Sequence, residues 1–444
     1  MTYKSRAYYQ YMLDKTDGKI GYYSTDDIEQ LVYDLLDECD ADEAMRACQI
    51  GLDQHPGDEL LELVEAKVLV HLHKIAEAER IMEGKPEAAS PFDVSIRFGI
   101  MVSKGKYQEA LNYLTEKFMA DKLMTIEFVE IIDEMFSYLP KAPTAECLVT
   151  VANHVIKNSK QGEQEAEALG RIGAQLMDCN CHEKAIPVLE RALDQDAYDV
   201  YTWQDLSRCQ LELGQYEKCA NSCEMGLAID PNNPLFNFAL GYICFSQNEF
   251  ERCIEHLLIA KDFIEGKIKH EEVRIDRIEA EQQTNFTYEM LGNAYSMLGK
   301  NDKAIENYTK LIDRMPKFDE IYLKLATLHM DQGNTPEALK DIDNAIRLKP
   351  DKLEYKALRV AMLTDMHQYD EVMKELDELI RLQPQSKTYL LAKAQLSMNL
   401  NRYDEADKSY RRLLELKPKD DTSKELLRAY FESIGDNEAL KKID

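Results

Sequence analysis

Cys179, Cys181 and His182 stand together in a Cys-Asn-Cys-His run, the densest grouping of metal-binding side chains in the chain. Thiolates and an imidazole suit zinc, but a structural zinc site closes with four ligands, and no second pair follows at a suitable spacing. The run also falls where two helices would be joined by a turn, so no metal is expected. Cys219 and Cys223 lie one helical turn apart and, being small, fit a close approach of two helices without any reactive role. None of the nine histidines belongs to an H-E-x-x-H arrangement, and neither a phosphate-binding glycine loop nor a nucleophile elbow is present. The chain is expected not to be an enzyme and to carry no cofactor. An enzyme with no recognisable motif is the third-ranked reading.

Bulk properties narrow the class further. Hydrophobic residues make up 45% and charged residues 31% of 444 residues, a balance typical of an ordered, soluble chain. Eighty-two carboxylates oppose 54 basic side chains, for a net charge of −28. Such a surface repels phosphate backbones, and no basic stripe offsets it, so nucleic acid is not an expected partner. No stretch approaches the roughly 18 apolar residues of a membrane span, and Met1–Tyr9 lacks the apolar core of a secretory signal. Ten cysteines without a disulfide-framework spacing fit the reduced thiols of a cytoplasmic protein.

The elements that position these residues emerge from the prolines. Pro316, Pro350, Pro384 and Pro418 are each 34 residues apart, and Pro231 precedes them by 85, two periods plus 17 extra residues. Thirty-four residues accommodate two short helices and two turns. In the unit beginning at Val200, Trp203, Leu206 and Ser207 share one face of a first helix. Gly214 can adopt the left-handed conformation that ends it. Cys219, Cys223 and Gly226 follow at i, i+4 and i+7 on a second helix, which Asp230-Pro231 closes.

This grammar resembles the tetratricopeptide repeat. Tyr288, Leu291-Gly292, Tyr295, Gly299, Ala304, Tyr308 and Pro316 follow that family's signature, as do Tyr322, Leu325, Ala326, Gly333, Ala338, Ala345 and Pro350. Tyr369 with Pro384, and Tyr403, Ala406, Tyr410 and Pro418, keep the phase. Upstream units start near Ala166 (Ala185, Leu189, Ala192), Pro91 (Ala110, Leu114) and Thr25 (Ala44, Gly51, Pro56). The resemblance implies an all-α solenoid, a right-handed superhelix of stacked antiparallel helix-turn-helix repeats, about eleven of them between Thr25 and Asp420.

The expected organisation is a basic, tyrosine-rich arm over 1–24, about three repeats over 25–124, and an irregular repeat or joint over 125–165. About seven repeats follow over 166–420, and a capping helix with Leu427, Phe431 and Gly435 over 421–444. Residues 261–284 interrupt the phase, with no proline and a single glycine, Gly266. Phe263, Ile264, Ile268, Ile275 and Ile278 recur there at mostly helical spacing. This predicts a second helix extended by several turns, or a helix plus a short turn. Its plain explanation is a solvated helix held by charge pairs; the alternative is a docking arm or dimer contact.

In this family the first helices line a concave groove, through positions two, five, nine and twelve. Carried onto this chain, the resemblance puts Tyr201, Phe238, Tyr242, Phe245 and Phe286 in the groove, an aromatic stripe suited to a peptide or partner helix. The opposing explanation is that these rings pack between helices as core. Some members grip an acidic chaperone tail with lysines and asparagines; the corresponding positions here hold Gln204, Arg208, Glu289, Asn293, Lys324 and Thr327. Glu289 would repel a carboxylate, so that ligand is not expected.

Residues 25–65 carry fourteen carboxylates against one basic residue, Arg46. The preceding arm, with Lys4, Arg6, Lys15, Lys19 and six tyrosines, either folds over the first repeats or leaves the acidic segment open to a basic partner. A solvated helix face is the simplest reading of the acidic run. Together these features predict an intracellular scaffold or adaptor, a monomer or weak homodimer, that binds a protein or peptide in its groove. The alternative is a peptide-sensing regulatory protein whose superhelix changes shape on binding.

Overall fold

The computed structural model describes residues 4–18, 21–83, 85–86, 90–158, 163–267, 277–417 and 420–443. Among them the chain is entirely helical, without a strand, and it divides into two compact units, residues 1–239 and 240–444. In the first unit α1 (Arg6–Thr16) precedes six hairpins. These are α2/α3 (Thr25–Asp37, Ala41–Gln54), α4/α5 (Glu59–His71, Ile75–Met82), α6/α7 (Pro91–Ser103, Tyr107–Met119), α8/α9 (Thr125–Met135, Lys141–Asn158), α10/α11 (Glu163–Asp178, His182–Leu193) and α12/α13 (Val200–Glu212, Tyr216–Ile229). The unit boundary falls inside α14 (Pro234–Ser246), which pairs in sequence with α15 (Phe250–Ile264). The second unit continues with α16/α17 (Arg277–Met297, Asn301–Arg314), α18/α19 (Asp319–Asp331, Thr335–Leu348), α20/α21 (Leu353–Asp365, Tyr369–Leu382) and α22/α23 (Lys387–Asn399, Tyr403–Glu415). It ends with α24 (Asp421–Ser433) and α25 (Asn437–Leu440). This is an all-α solenoid of antiparallel hairpins.

Each hairpin is made locally. Gly214, Gly299 and Gly333 take φ of +68°, +68° and +73° just past a first helix. The next amide then reaches five residues back, Gln215 N–H to the Gln210 carbonyl at 2.8 Å and Lys300 N–H to the Tyr295 carbonyl at 2.9 Å. That pairing satisfies the last carbonyls of the helix and reverses the chain. Pro316, Pro350 and Pro384 stand two residues beyond α17, α19 and α21, where a helix can no longer continue. Pro418 lies outside the described residues.

Small residues let the helices close on one another. Ala304, Ala338 and Ala406 are fully buried, and so are Cys219 and Cys223. Gly226 packs so tightly that a Cβ there would fall 2.2 Å from Cζ of the buried Phe236 ring. The segment from Thr125 forms a hairpin too, α8/α9, turned by a 3-10 turn at Phe136–Tyr138, with Ala145 and Ala152 buried on α9; residues 159–162 lie outside the described residues.

The extension anticipated after α15 is placed differently. α15 stops at Ile264, because Gly266 adopts φ +71° and Lys267 N–H bonds back to the Asp262 carbonyl at 2.8 Å, closing the helix. The additional turns belong to the following first helix: α16 has 21 residues against 13 for α18. Residues 268–276 lie outside the described residues. The amino-terminal arm forms α1, which rests on α2 through Ala7 and Tyr11.

Candidate partner-binding face

The first helices carry two kinds of residue. Leu206 on α12, Leu240 on α14 and Leu291 and Tyr295 on α16 are buried, as the repeat requires. The five aromatic residues expected in the groove occupy other positions on the same helices, and none belongs to the fully buried core. Tyr201 sits in the first turn of α12, where Asp199 caps the helix and accepts the Tyr201 amide at 3.1 Å; its ring is half-buried. Phe286, near the middle of α16, is 54% exposed.

α14 is the most apolar helix of the chain. Phe236, Ala239, Leu240, Ile243 and Cys244 are buried, whereas Phe238 and Phe245 are half-buried and Tyr242 is 38% exposed. Phe238, Tyr242 and Phe245 follow at i, i+4 and i+7 and therefore share one face. Phe245 meets Phe250 edge to face, the centroids 5.8 Å apart. A helix apolar all round normally lies wholly within a core. Here one aromatic face is only partly covered. The structure thus brings three of the five together on one helix, with Tyr201 and Phe286 on separate helices.

The clamp positions of α16 and α18 are occupied from within. Lys324 Nζ donates to Asn293 Oδ1 at 2.8 Å and lies 3.4 Å from Glu289 Oε1. Tyr308 donates its hydroxyl to the same Asn293 oxygen at 2.6 Å, and burial holds its pKa above the usual phenol value. Thr327 turns its hydroxyl to the Leu323 carbonyl of its own helix. Lysine and asparagine are therefore spent on neighbours instead of facing a ligand carboxylate.

The Cys-Asn-Cys-His run makes the turn between α10 and α11, with Asn180 left-handed at φ +58°. Cys179 is buried, which pushes its thiol up to about 11. His182 Nδ1 lies 3.8 Å from Cys209 Sγ. Among the described residues no group of three His, Cys, Asp or Glu side chains is disposed to hold a metal ion, and no helix is long and apolar enough to cross a membrane.

One polar cluster on the first helices escaped sequence reasoning. Lys67 of α4 is buried between the rings of Tyr33 and Phe92, 5.4 Å from each centroid. Its ammonium donates to Ser95 Oγ at 3.0 Å and to Glu134 Oε1 at 2.7 Å, and Ser95 donates to the second Glu134 oxygen at 3.0 Å. Burial depresses the nearby His71. The one available signal was a lysine between Ala66 and the apolar run Val68–Val70.

Residues 182–236, 297–361 and 388–420 match tetratricopeptide-repeat family models, and residues 94–131 match the model of anaphase-promoting complex subunit 5. Hsp70-Hsp90 organizing protein 1 of Glycine max is 26% identical over 212 residues, covering 42% of this chain and 36% of the relative. A DnaJ homolog subfamily C member 7 homolog of Dictyostelium discoideum is 23% identical over 170 residues, covering 36% and 30%. The chain thus spans about a third of the length of these curated relatives. The crystal structure of MamA aligns at a TM-score of 0.33 and 23% identity, over 41% of this chain and 98% of that one. Repeats matched in sequence coincide with the helices α11–α13, α17–α20 and α22–α23, and over these residues the chain carries tetratricopeptide repeats.

Proposed function

We propose that this chain is a non-catalytic adaptor that holds a protein or peptide against the aromatic face of its first helices. The observation that carries this reading is α14, which leaves Phe238, Tyr242 and Phe245 only partly covered while Phe236, Ala239, Leu240, Ile243 and Cys244 of the same helix are buried. Aromatic surface left partly in water is stabilised when a partner covers it, and aromatic side chains dominate the energetics of interfaces. Tyr201 on α12 and Phe286 on α16 each offer the same kind of ring on their own helix. The name of the soybean relative ties that protein to Hsp70 and Hsp90. The Glu289–Lys324 pairing argues against an acidic tail as the ligand here, and an amphipathic helix or an extended apolar segment fits the rings better. A cytoplasmic protein partner, with the chain as monomer or weak homodimer, completes the proposal.

The test is affinity capture from the native host with wild type and with a Tyr201, Phe238, Tyr242 and Phe245 to Ala variant. A Tyr242→Ala, Phe286→Ala variant, altering only the two exposed rings, guards against a folding defect. A partner retained by wild type and lost by both variants supports the aromatic face. Identical partners for all three proteins would overturn it.

A further inference from the structure

α1 covers its place on the first repeat incompletely. Of its eleven residues, Ala7 and Tyr11 are buried, while Tyr9, Met12 and Leu13 are 56%, 38% and 63% exposed. Carboxylates of α2 and α3 hold it. The Ser5 amide donates to Asp34 Oδ2 at 2.8 Å, and Lys4 Nζ donates to the Asp34 carbonyl at 2.7 Å. Tyr8 donates to Glu38 Oε2 at 2.8 Å and Tyr11 to Glu43 Oε1 at 2.6 Å. Lys15 pairs with the same Glu43 oxygen at 2.7 Å, and Arg46 takes the other at 2.7 Å. Beside these contacts a pocket of about 240 Å³ remains, lined by Tyr11, Asp14, Lys15, Tyr23, Glu43, Arg46 and Ile50.

Apart from the buried Tyr11–Glu43 bond, these ion pairs and hydrogen bonds lie at a partly solvated surface and each contribute little, and two buried apolar side chains add only a modest amount. Tethering therefore supplies much of what keeps α1 in place, since it raises the local concentration of the helix. The surrounding charge is one-sided: thirteen net negative charges over residues 25–65 favour any cationic segment that arrives. α1 is itself the template for what fits.

We propose that α1 is a built-in occupant of a docking face on α2 and α3. The same face accepts, from a partner protein, a cationic amphipathic helix with tyrosines at i and i+3 and a lysine at i+7, the spacing of Tyr8, Tyr11 and Lys15. An incoming helix with a larger apolar residue toward Ile50 fills the pocket that α1 leaves open and so displaces it. This site is separate from the aromatic side chains of α14 and stands or falls without them.

The probe is a fluorescein-labelled peptide of residues 4–17, with a scrambled peptide of the same composition as control, titrated against the full chain by anisotropy at low salt. In wild type the arm competes. Tyr11→Ala and Lys15→Glu both loosen the arm without altering the face, so each is expected to bind the peptide at least about tenfold more tightly than wild type, as the competent fraction rises. Adding Glu43→Gln to either variant removes the gain. Circular dichroism of all variants verifies that the repeats remain helical. Equal affinity of wild type and both loosened variants, or equal binding of the scrambled peptide, overturns the proposal. So does concentration-dependent dimerisation of the loosened variants in light scattering, which would make a second copy the occupant.

Discussion

Glu289 on α16 and Lys324 on α18 face each other across successive first helices, 3.4 Å apart, with Asn293 completing the contact at 2.8 Å from the lysine. Both side chains are about a third exposed, 27% and 36%, so the pair adds little to stability. For any anionic ligand placed there, the carboxylate would cancel the lysine. Glu289→Gln is expected to leave the thermal midpoint nearly unchanged. It should raise affinity for a short peptide with a free terminal carboxylate by roughly fivefold, the equivalent of about 1 kcal/mol from one removed like charge. Calorimetric titration measures it. Lys324→Ala on that background should abolish the gain, and an unchanged affinity in Glu289→Gln would show that the pair does not govern this face.

Gly226 on α13 tests how closely the hairpins must approach. A methyl group there would lie 2.2 Å from Cζ of Phe236, a ring with no exposed surface to retreat into. Alanine gains up to about 1 kcal/mol in helix propensity. Overpacking a closed core costs about 1–3 kcal/mol, so Gly226→Ala should destabilise the chain by roughly 1 kcal/mol net. Denaturant unfolding followed by circular dichroism reads this out. Gly214→Ala is the control: nothing lies within 4 Å, and its cost comes from the φ of +68°. An alanine at 226 that stabilised the fold would mean that Phe236 moves freely.

Glu265 makes the stability of the second unit depend on acid. Burial alone would raise its carboxyl, but hydrogen bonds from Lys267 and Lys310, at 2.7 and 2.6 Å, bring it from 4.5 down to about 2. A depressed carboxyl favours the folded state above the unfolded value, near 4.5, and that contribution is lost as pH falls toward 2. The thermal midpoint of wild type should therefore drop more steeply between pH 4.5 and 2 than that of Glu265→Gln. Parallel pH profiles for the two proteins would exclude Glu265 as the titrating group.

What was legible in advance follows the range of each interaction. The 34-residue proline spacing and the glycines at 214, 299 and 333 announce the hairpins because a repeat folds on neighbours close in sequence. Phe238, Tyr242 and Phe245 share a face of α14 for the same local reason, by spacing within one helix, whereas their place in a groove is only what the resemblance implies. Around residues 261–284 the spacing left a longer helix and a helix plus a short turn both open, and one local choice decides where α15 ends. Phe263 and Ile264 continue the helical period, yet Gly266 ends α15 there. Lys67 and Glu134 were beyond reach, because 67 residues separate them and only stacking of α4, α6 and α8 brings them together.

That pair yields an asymmetric prediction. The Lys67 side chain is 8% exposed and Glu134 32% exposed, so the two ends lose unequally when the contact is broken. Glu134→Ala strands an ammonium among Tyr33, Phe92 and Ser95, and breaking a buried pair in this way costs about 3–5 kcal/mol, reduced to roughly 2 by the partial exposure of the carboxylate. Lys67→Met instead leaves a carboxylate that can turn to water, and the thioether stays between the two rings, so its cost should be below about 1 kcal/mol. The Lys67→Met, Glu134→Ala double variant should then be more stable than Glu134→Ala alone, since both charges leave together. Thermal unfolding of the three proteins and wild type completes the cycle. Equal single-variant losses would mean that the lysine reaches water by another route, and that the rings of Tyr33 and Phe92, not Glu134, hold it in place.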